Sequence, residues 1–244
     1  VLPGNTHCDV AAIALVKEKT RAADGVIAVG SGSLQDVVKY ATFEDGRKYA
    51  VFGTAASMNG YAATTASVTL ASGLKTSLPA HAPRGIFLDL KVSADAPSWL
   101  SAAGFGDSLC RSTAQIDWWA SHRLFGTDYF TIPYLLQAGD EPDMLKTAPG
   151  IASHSIEANG VLHRVMTLCG LGVCFTGISH HGSMGEHQVS HWLDMFAGKA
   201  HPGTTHGQQV GVASLAIARL QAELLAREAP PVVRHGERQD RRGA

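Results

Sequence analysis

The chain has 244 residues, of which 45% are hydrophobic, and its formal net charge is −1 with neutral histidines. This length suits one large domain or two small ones around a buried core. A nearly neutral chain has no basic surface for nucleic acid, and no apolar run is long enough to cross a bilayer. We therefore expect no nucleic-acid partner and no membrane span.

Four cysteines are scattered irregularly along the chain, at Cys8, Cys110, Cys169 and Cys174. Their number and spacing are typical of reduced thiols and not of a disulfide framework. Together with the lack of a secretion leader, they favour a cytoplasmic protein. Cys169 and Cys174 fall in an apolar stretch, which indicates packing residues.

The first part of the chain alternates helical and strand patterns. We predict helices at about residues 9–19 and 34–41, and short strands at 25–29, 49–52 and 85–90. The continuous apolar run at 25–29 suits a parallel strand that is covered on both faces. Alternation of this kind predicts an α/β domain with a parallel sheet.

Gly30-Ser31-Gly32-Ser33 lies where a predicted strand meets a predicted helix. Glycines there let the backbone approach a pyrophosphate, and a helix N-terminus offers free N–H groups. A plain tight turn is an equal alternative, because the third glycine of the dinucleotide fingerprint is missing. Asp36, one turn into the helix, is also explained as an acid favoured by the helix dipole.

A second loop, residues 54–61, follows the next predicted strand and contains Thr54, Ser57 and Asn59. Ligands of open α/β sheets bind at the carboxyl ends of the strands. Small and hydroxylated residues leave room for a ligand and can hydrogen-bond it. A loop that is simply rich in turn formers is the alternative.

Helical periodicity dominates after Pro97. We predict helices at 98–103, 107–125, 150–174, 184–196 and 207–227. This change gives a partial dinucleotide-binding α/β domain at 1–97 and a helical domain at 98–229. The polar segment 230–244 is predicted to be disordered.

Three acidic or histidine-bearing places stand out in the helical half. Asp107 is placed at a helix start, His187 and His191 share a helix face, and His206 precedes the last helix. One Asp with two His suits a catalytic divalent ion with an open position. A helix cap and wet surface histidines are the alternatives. We assign His180, His181 and His201 to loops or the surface.

Taken together, five segments resemble the sn-glycerol-1-phosphate dehydrogenase family, within the iron-containing alcohol dehydrogenase and dehydroquinate synthase-like group. The match runs from about residue 25 to residue 227. It rests on these segments, in this order: Gly30 to Tyr40, Thr54 to Tyr61, Gly104-Phe105-Gly106-Asp107, Gly185 to His191, and His206 to Val212.

The resemblance implies a divalent metal bound by Asp107, His187 and His206, with zinc favoured over nickel or iron. It implies that His191 and residue 59 contact substrate and that NAD or NADP is the cofactor. We count Asp107, His191 and Asn59 as catalytic. The cofactor would be contacted by Gly30, Ser31, Gly32, Ser33, Leu34, Asp36, Thr54, Ala55, Ala56, Ser57 and Ala63.

The reaction that the resemblance implies is reduction of dihydroxyacetone phosphate to sn-glycerol 1-phosphate. The substrate is then a small phosphorylated triose or polyol, and a homo-oligomer is possible. Lys75, His81 and Arg84 are candidates for the phosphate on charge alone, and a solvated surface position is favoured for each.

The sequence departs from the family at three places. Asn59 replaces an acid that contacts substrate, and Ala63 replaces a serine near the cofactor. The chain also starts inside the cofactor domain of the family, without the upstream strands that grip the adenosine ribose. We expect a fragment whose sheet exposes an edge and an apolar face.

Three other functions stay open. One is a glycerol or other alcohol dehydrogenase of the same fold group, for which no phosphate site is needed. Arg111 stands where the iron enzymes add a histidine, which counts against iron. Dehydroquinate synthases need more basic residues around the site. The last is a truncated, inactive, metal-binding homologue.

Overall fold

Helices and strands alternate in the first part of the computed structural model, which describes residues 1–4 and 6–227. The strands are β1 (Gly25–Gly30), β2 (Lys48–Gly53), β3 (Thr65–Thr69), β4 (Lys75–Pro79) and β5 (Ile86–Leu88). The helices of this part are α1 (Val10–Lys19), α2 (Gly32–Glu44) and α3 (Leu90–Asp95).

The second part is helical, and its helices are α4 (Ser98–Leu109), α5 (Arg111–Phe125), α6 (Ile132–Gln137), α7 (Glu141–Thr147), α8 (Pro149–Ala152), α9 (Ile156–Thr176), α10 (Gly185–Phe196) and α11 (His206–Leu225). The tail predicted at 230–244 lies outside the described residues. The predicted order, an α/β part followed by a helical part, is therefore present.

The parallel sheet has the strand order β1-β2-β5. Ala28 and Val51 face a core in which Val37 and Ala41 of α2 are fully buried. Alternate residues point to opposite faces of a strand, so Ile27 and Val29 point away from that core. Ile27 is 65% exposed and Val29 is 58% exposed. The expected open edge and exposed apolar face of the sheet are present.

An antiparallel hairpin of β3 and β4 was not predicted. Its strands, TASVT and KTSLP, are rich in hydroxyl residues and lack the apolar runs that indicate a strand. Ala66 and Val68 nevertheless join the sheet's core. The strand predicted at 85–90 is wrong beyond Leu88, because the Asp89 side chain caps α3 by accepting from the backbone N–H of Val92.

Two predicted helix boundaries in the helical part are also wrong. Helix α4 continues through Gly104 and Gly106, so Asp107 lies in its last turn and not at a helix start. Helix α9 begins at Ile156, after the Ser155 side chain accepts from the backbone N–H of Ala158. The short helices α3, α6 and α7 were missed because six or seven residues are too few to establish a helical period.

Among the described residues, α9 alone is long and apolar enough to cross a membrane by length and composition. In the fold it is a core helix, since Leu162, Val165 and Met166 are buried. Its most apolar window is 56% buried inside the protein.

His163 on α9 makes the stability of the fold sensitive to acid. Its ring is buried and its Nε2 lies 2.5 Å from Ser93 Oγ, while Nδ1 has no partner. Burial lowers the pKa of His163 to about 4, from an ordinary value of 6.5. The unfolded chain therefore binds this proton first as the pH falls, so stability is lost between about pH 6.5 and pH 4.

The free energy of unfolding of the wild type should fall between pH 7.5 and pH 5. In His163→Gln this fall should be smaller by about 2 kcal/mol. Urea unfolding at the two pH values measures this difference. Exposed His154→Gln is the matched control and should leave the loss intact. An unchanged loss in His163→Gln would contradict the assignment.

Candidate metal centre and active-site cavity

Asp107, His187 and His206 meet at one point of the helical part. Asp107 lies in the last turn of α4, His187 in the first turn of α10, and His206 is the first residue of α11. Their ligand atoms all lie within 4.8 Å of one another. Asp107 Oδ1 is 3.4 Å from His187 Nε2 and 3.7 Å from His206 Nε2. The structure thus brings together the three predicted ligands.

The local chemistry fits a divalent cation. Asp107 is 2% exposed, and its Oδ1 is buried without a hydrogen-bond partner. A buried, unpaired carboxylate oxygen is costly unless a cation neutralises it. The other oxygen, Oδ2, accepts the backbone N–H of Asn59 at 3.1 Å, which fixes the carboxylate. One carboxylate and two imidazoles are a ligand set of catalytic zinc sites.

His187 is oriented by its neighbour Glu186. The Nδ1 of His187 lies 3.0 Å from Glu186 Oε1, and the backbone N–H of Met184 donates to the same oxygen. A carboxylate only accepts, so Nδ1 carries a proton, and Nε2, which faces Asp107, is the nitrogen that an ion would bind in place of a proton. Partners of this kind set the tautomer of histidine ligands. No sequence pattern predicts this role for Glu186, since an acid in a first helix turn is ordinary.

His206 is held at the start of α11 by a capping box. The Thr205 side chain accepts from the N3 backbone N–H, and the Gln208 side chain accepts the Thr205 backbone N–H at 2.9 Å. This arrangement satisfies two free donors of the helix start. It fixes the backbone beside His206, which is therefore part of the last helix and does not precede it.

The electrostatics of the three side chains favour a cation. Burial opposes ionisation of Asp107, but His187, His206 and the Asn59 N–H outweigh it, so the pKa of Asp107 lies below its ordinary value. Burial, with the charge of His187, lowers the pKa of His206 to about 3. Asp107 and His206 are therefore in the ionised and unprotonated forms that metal binding requires. Burial opposes protonation of His187, but Asp107, Cys110 and Glu186 outweigh it, so the pKa of His187 lies well above its ordinary value and an ion would displace this proton.

The three side chains line a cavity of about 930 Å³ between the two parts of the chain. Asn59 and His191 line the same cavity. His191 stacks on His206, with 5.7 Å between the ring centroids and 23° between their planes. All the predicted catalytic groups therefore face one space.

The two loops predicted to bind cofactor lie side by side at the carboxyl ends of β1 and β2. The Gly32 N–H donates to Ser57 Oγ at 3.3 Å. Ser33, Asp36 and Ala63 line the cavity. The other residues predicted to contact cofactor do not line the cavity. They are Gly30, Ser31, Gly32, Leu34, Thr54, Ala55, Ala56 and Ser57. Of these, Ala55 and Ala56 are buried.

The Asp36 carboxylate is held by an ion pair and by a backbone hydrogen bond. Its Oδ1 is 3.4 Å from the fully buried Lys39 Nζ, and its Oδ2 accepts the Ser67 N–H. Lys39 also donates to the carbonyl oxygens of Gly60 at 2.6 Å and Thr65 at 2.9 Å. The pair thus anchors the end of the loop that carries Asn59. Sequence reasoning missed Lys39, because a lysine in an amphipathic helix is normally exposed.

The three candidates for a phosphate group are separated in the structure. Lys75 lines the cavity and its Nζ bonds Asp194 Oδ2 at 2.6 Å. His81 stacks on Tyr49 outside the cavity, with ring centroids 5.1 Å apart, and Arg84 is exposed. His81 and Arg84 thus do not line the cavity, and exposed Arg84 agrees with the solvated-surface interpretation.

One further histidine, His181, and one cysteine, Cys174, differ from expectation. His181 is fully buried, with its Nε2 2.9 Å from the Cys169 carbonyl oxygen, so its surface assignment is wrong. All four cysteines are free, as predicted. Cys169 is buried, whereas Cys174 is exposed and not a packing residue. No pattern in the sequence distinguishes a buried His181 from a surface one.

Comparison with known proteins identifies relatives. Residues 2–97 match the model of a family described as iron-containing alcohol dehydrogenase. The chain is 32% identical over 206 residues to a glycerol-1-phosphate dehydrogenase [NAD(P)+] of Bacillus velezensis, covering 84% of this chain and 52% of the relative. The corresponding enzyme of Thermococcus kodakarensis is 34% identical, with 80% of this chain and 54% of the relative covered. The chain spans about half the length of the curated relatives it matches.

Solved structures agree on the fold. A probable glycerol dehydrogenase from Sinorhizobium meliloti 1021 superposes with a TM-score of 0.70 at 20% identity, covering 89% of this chain and 63% of that one. The glycerol dehydrogenase of Schizosaccharomyces pombe gives 0.67 at 17% identity, covering 90% and 57%. The predicted fold class is confirmed.

Proposed function

We propose that this chain, which is a relative of the NAD(P)-dependent glycerol-1-phosphate dehydrogenases in the iron-containing alcohol dehydrogenase group, carries the metal and substrate site of such an enzyme. The reaction is reduction of dihydroxyacetone phosphate by NADH or NADPH to sn-glycerol 1-phosphate. The free cysteines are consistent with a cytoplasmic location.

The observation that carries this proposal is the cluster of Asp107, His187 and His206. Its Asp107 Oδ1 is buried without a hydrogen-bond partner, and the ligand atoms of the three side chains lie within 4.8 Å of one another. A helix cap satisfies backbone donors, but Asp107 lies at the end of α4 and caps no helix start. Surface histidines are solvated, whereas His187 is 5% exposed. Both alternative readings of these residues are therefore weaker than a metal site.

Each group has a defined task in the proposed reaction. A divalent ion bound by Asp107, His187 and His206 supplies Lewis-acid polarisation of a carbonyl oxygen. The nicotinamide cofactor supplies the hydride. The His191 ring lies beside the His206 ring, with 5.7 Å between the centroids, and lines the same cavity, where it can hydrogen-bond a substrate hydroxyl. Asn59 fixes Asp107 through its backbone and offers an uncharged amide to substrate.

A second function is favoured by the charges of the cavity. Among the described residues, Lys75 is the one lysine or arginine that lines it, and Lys75 is paired with Asp194. A phosphate dianion is normally met by several donors, often from arginine. This scarcity favours an unphosphorylated polyol such as glycerol, which would make the chain a glycerol dehydrogenase.

Turnover of the full chain in the presence of Zn²⁺, Ni²⁺ or Fe²⁺ tests both functions. We expect oxidation of NADH or NADPH with dihydroxyacetone phosphate. His191 is proposed to relay a proton to the substrate oxygen as hydride arrives at carbon, so His191→Ala should reduce kcat/KM by at least about 100-fold. Faster reduction of dihydroxyacetone than of its phosphate would establish the second function. Bound metal without any turnover would contradict both and indicate an inactive metal-binding homologue.

A further inference from the structure

A chain of hydrogen bonds leads away from the back of His206. The Nδ1 of His206 lies 2.8 Å from Ser190 Oγ, and Ser190 Oγ lies 2.6 Å from Gln209 Oε1. Ser190 is fully buried on α10, and Gln209 is 6% exposed on α11. No solvent therefore competes for these bonds, and each atom must find its partner within the protein.

The outer end of the chain fixes the orientation of the Gln209 amide. Gln209 Nε2 is 3.2 Å from the Thr204 carbonyl oxygen and 3.2 Å from Asp194 Oδ1. Both of these oxygens only accept hydrogen bonds, so the NH₂ group of Gln209 faces them. Its Oε1 consequently faces Ser190.

Asp194 is itself held in place from two sides. Lys75 Nζ donates to its Oδ2 at 2.6 Å. His201 Nδ1 accepts the Gly203 N–H at 3.0 Å, so the proton of this ring is on Nε2, which is 3.1 Å from Asp194 Oδ1. The carboxylate therefore receives three donors and cannot rotate away from Gln209 without losing several bonds.

The direction of each bond now follows from the one before it. Gln209 Oε1 only accepts, so the single hydroxyl proton of Ser190 is donated to it. Ser190 Oγ is then left as an acceptor, and the proton of the His206 ring must lie on Nδ1. The Nε2 of His206, which faces Asp107, keeps its lone pair.

We propose that Ser190 and Gln209 are positioning residues that fix the tautomer and ring orientation of His206 for binding of a divalent ion. This inference rests on the metal site proposed above. His187 has its own partner, Glu186, so the two imidazoles are set independently. Loss of Ser190 or Gln209 should weaken metal binding through His206 alone.

Zn²⁺ affinity of the full chain, measured by competition with a coloured chelator, tests the proposal. Loss of a residue that orients a histidine ligand typically weakens metal binding by about 10- to 100-fold. We expect this loss in Ser190→Ala and in Gln209→Met, with substantial recovery in Ser190→Thr, which keeps the hydroxyl. Ser214→Ala is the matched control, since Ser214 is also buried but bonds only the Val210 carbonyl oxygen of its own helix, and it should not alter affinity.

The visible absorption of a Co²⁺-loaded sample is a second measurement, and a general loss of stability does not change it. We expect the visible absorption bands of bound Co²⁺ to change in Ser190→Ala and Gln209→Met but not in Ser214→Ala. If Ser190→Ala folds poorly, Gln209→Met carries the test, because it interrupts the same chain without touching His206. Wild-type affinity and spectrum in both variants would overturn the proposal, whereas a wild-type chain that binds no metal would overturn the metal site itself.

Discussion

Replacing Asp107 with asparagine is expected to lower the affinity of the chain for Zn²⁺ by more than about 100-fold. Loss of a group that merely orients a ligand costs about 10- to 100-fold, and Asp107 is proposed as the ligand itself. Its Oδ1 is the atom that faces both His187 Nε2 and His206 Nε2. Asparagine keeps the shape of this side chain and can keep the bond from the Asn59 N–H, but it removes the negative charge.

Isothermal titration of Zn²⁺ into the metal-free chain measures the loss. Asp95→Asn is a control of the same chemistry, because Asp95 is exposed and pairs with Lys91 far from the cluster. A second readout is stability: at a free-metal concentration of 100 times Kd, binding adds about 2.7 kcal/mol to the free energy of unfolding. The gain should be present in wild type and Asp95→Asn and absent in Asp107→Asn. An equal gain in all three would place the ion elsewhere.

The sequence predicts that Asp107, His187 and His206 lie together, but it does not predict the local structure around Asp107. Asp107 was expected at the start of a helix, because Gly104 and Gly106 are poor helix formers. In the fold both glycines are retained inside α4, where a Cβ at Gly104 would overlap the carbonyl oxygen of Ala56. The close contact of Gly104 with Ala56 therefore outweighs the low helix propensity of glycine, and hydrophobic periodicity in the sequence does not reveal that contact.

The residues that support the ligands were beyond sequence reasoning for a related reason. Glu186, Ser190 and Gln209 are polar side chains in amphipathic helices, where a solvated face is the ordinary expectation. Their burial depends on how α10 and α11 pack against α4 and α5, and only the assembled fold shows it. The hairpin β3–β4 was missed because its burial is likewise decided by contact with α2.

The glycines that join α4 to α11 explain how Asp107 reaches His206. Gly106 precedes Asp107 and Gly207 follows His206 in the sequence, and both neighbours are proposed ligands. A Cβ on Gly207 would overlap the carbonyl oxygen of Ala103, and a Cβ on Gly106 would overlap the carbonyl oxygen of Gly207. These obstacles are backbone atoms, so they cannot be relieved by a side-chain rotation. The two helices must separate to admit a methyl group.

Gly207→Ala is therefore expected to destabilise the fold and weaken the metal site together. Overpacking of this kind costs about 3 kcal/mol, and the better helix propensity of alanine returns about 1 kcal/mol, leaving a net loss of about 2 kcal/mol. Metal–ligand distances tolerate only about 0.2 Å, so separation of the helices should also reduce Zn²⁺ affinity by about 10-fold or more.

Urea unfolding and Zn²⁺ competition on the same sample measure both effects. Gly160→Ala is the matched control, because Gly160 lies within α9 and a Cβ there would meet the flexible end of Leu90 at 3.2 Å. This control should be neutral or stabilised by up to about 1 kcal/mol, with unchanged affinity. If Gly207→Ala loses stability but keeps wild-type affinity, then close approach of α4 and α11 serves the fold alone, and the positions of Asp107 and His206 are maintained by the capping box and the Asn59 bond.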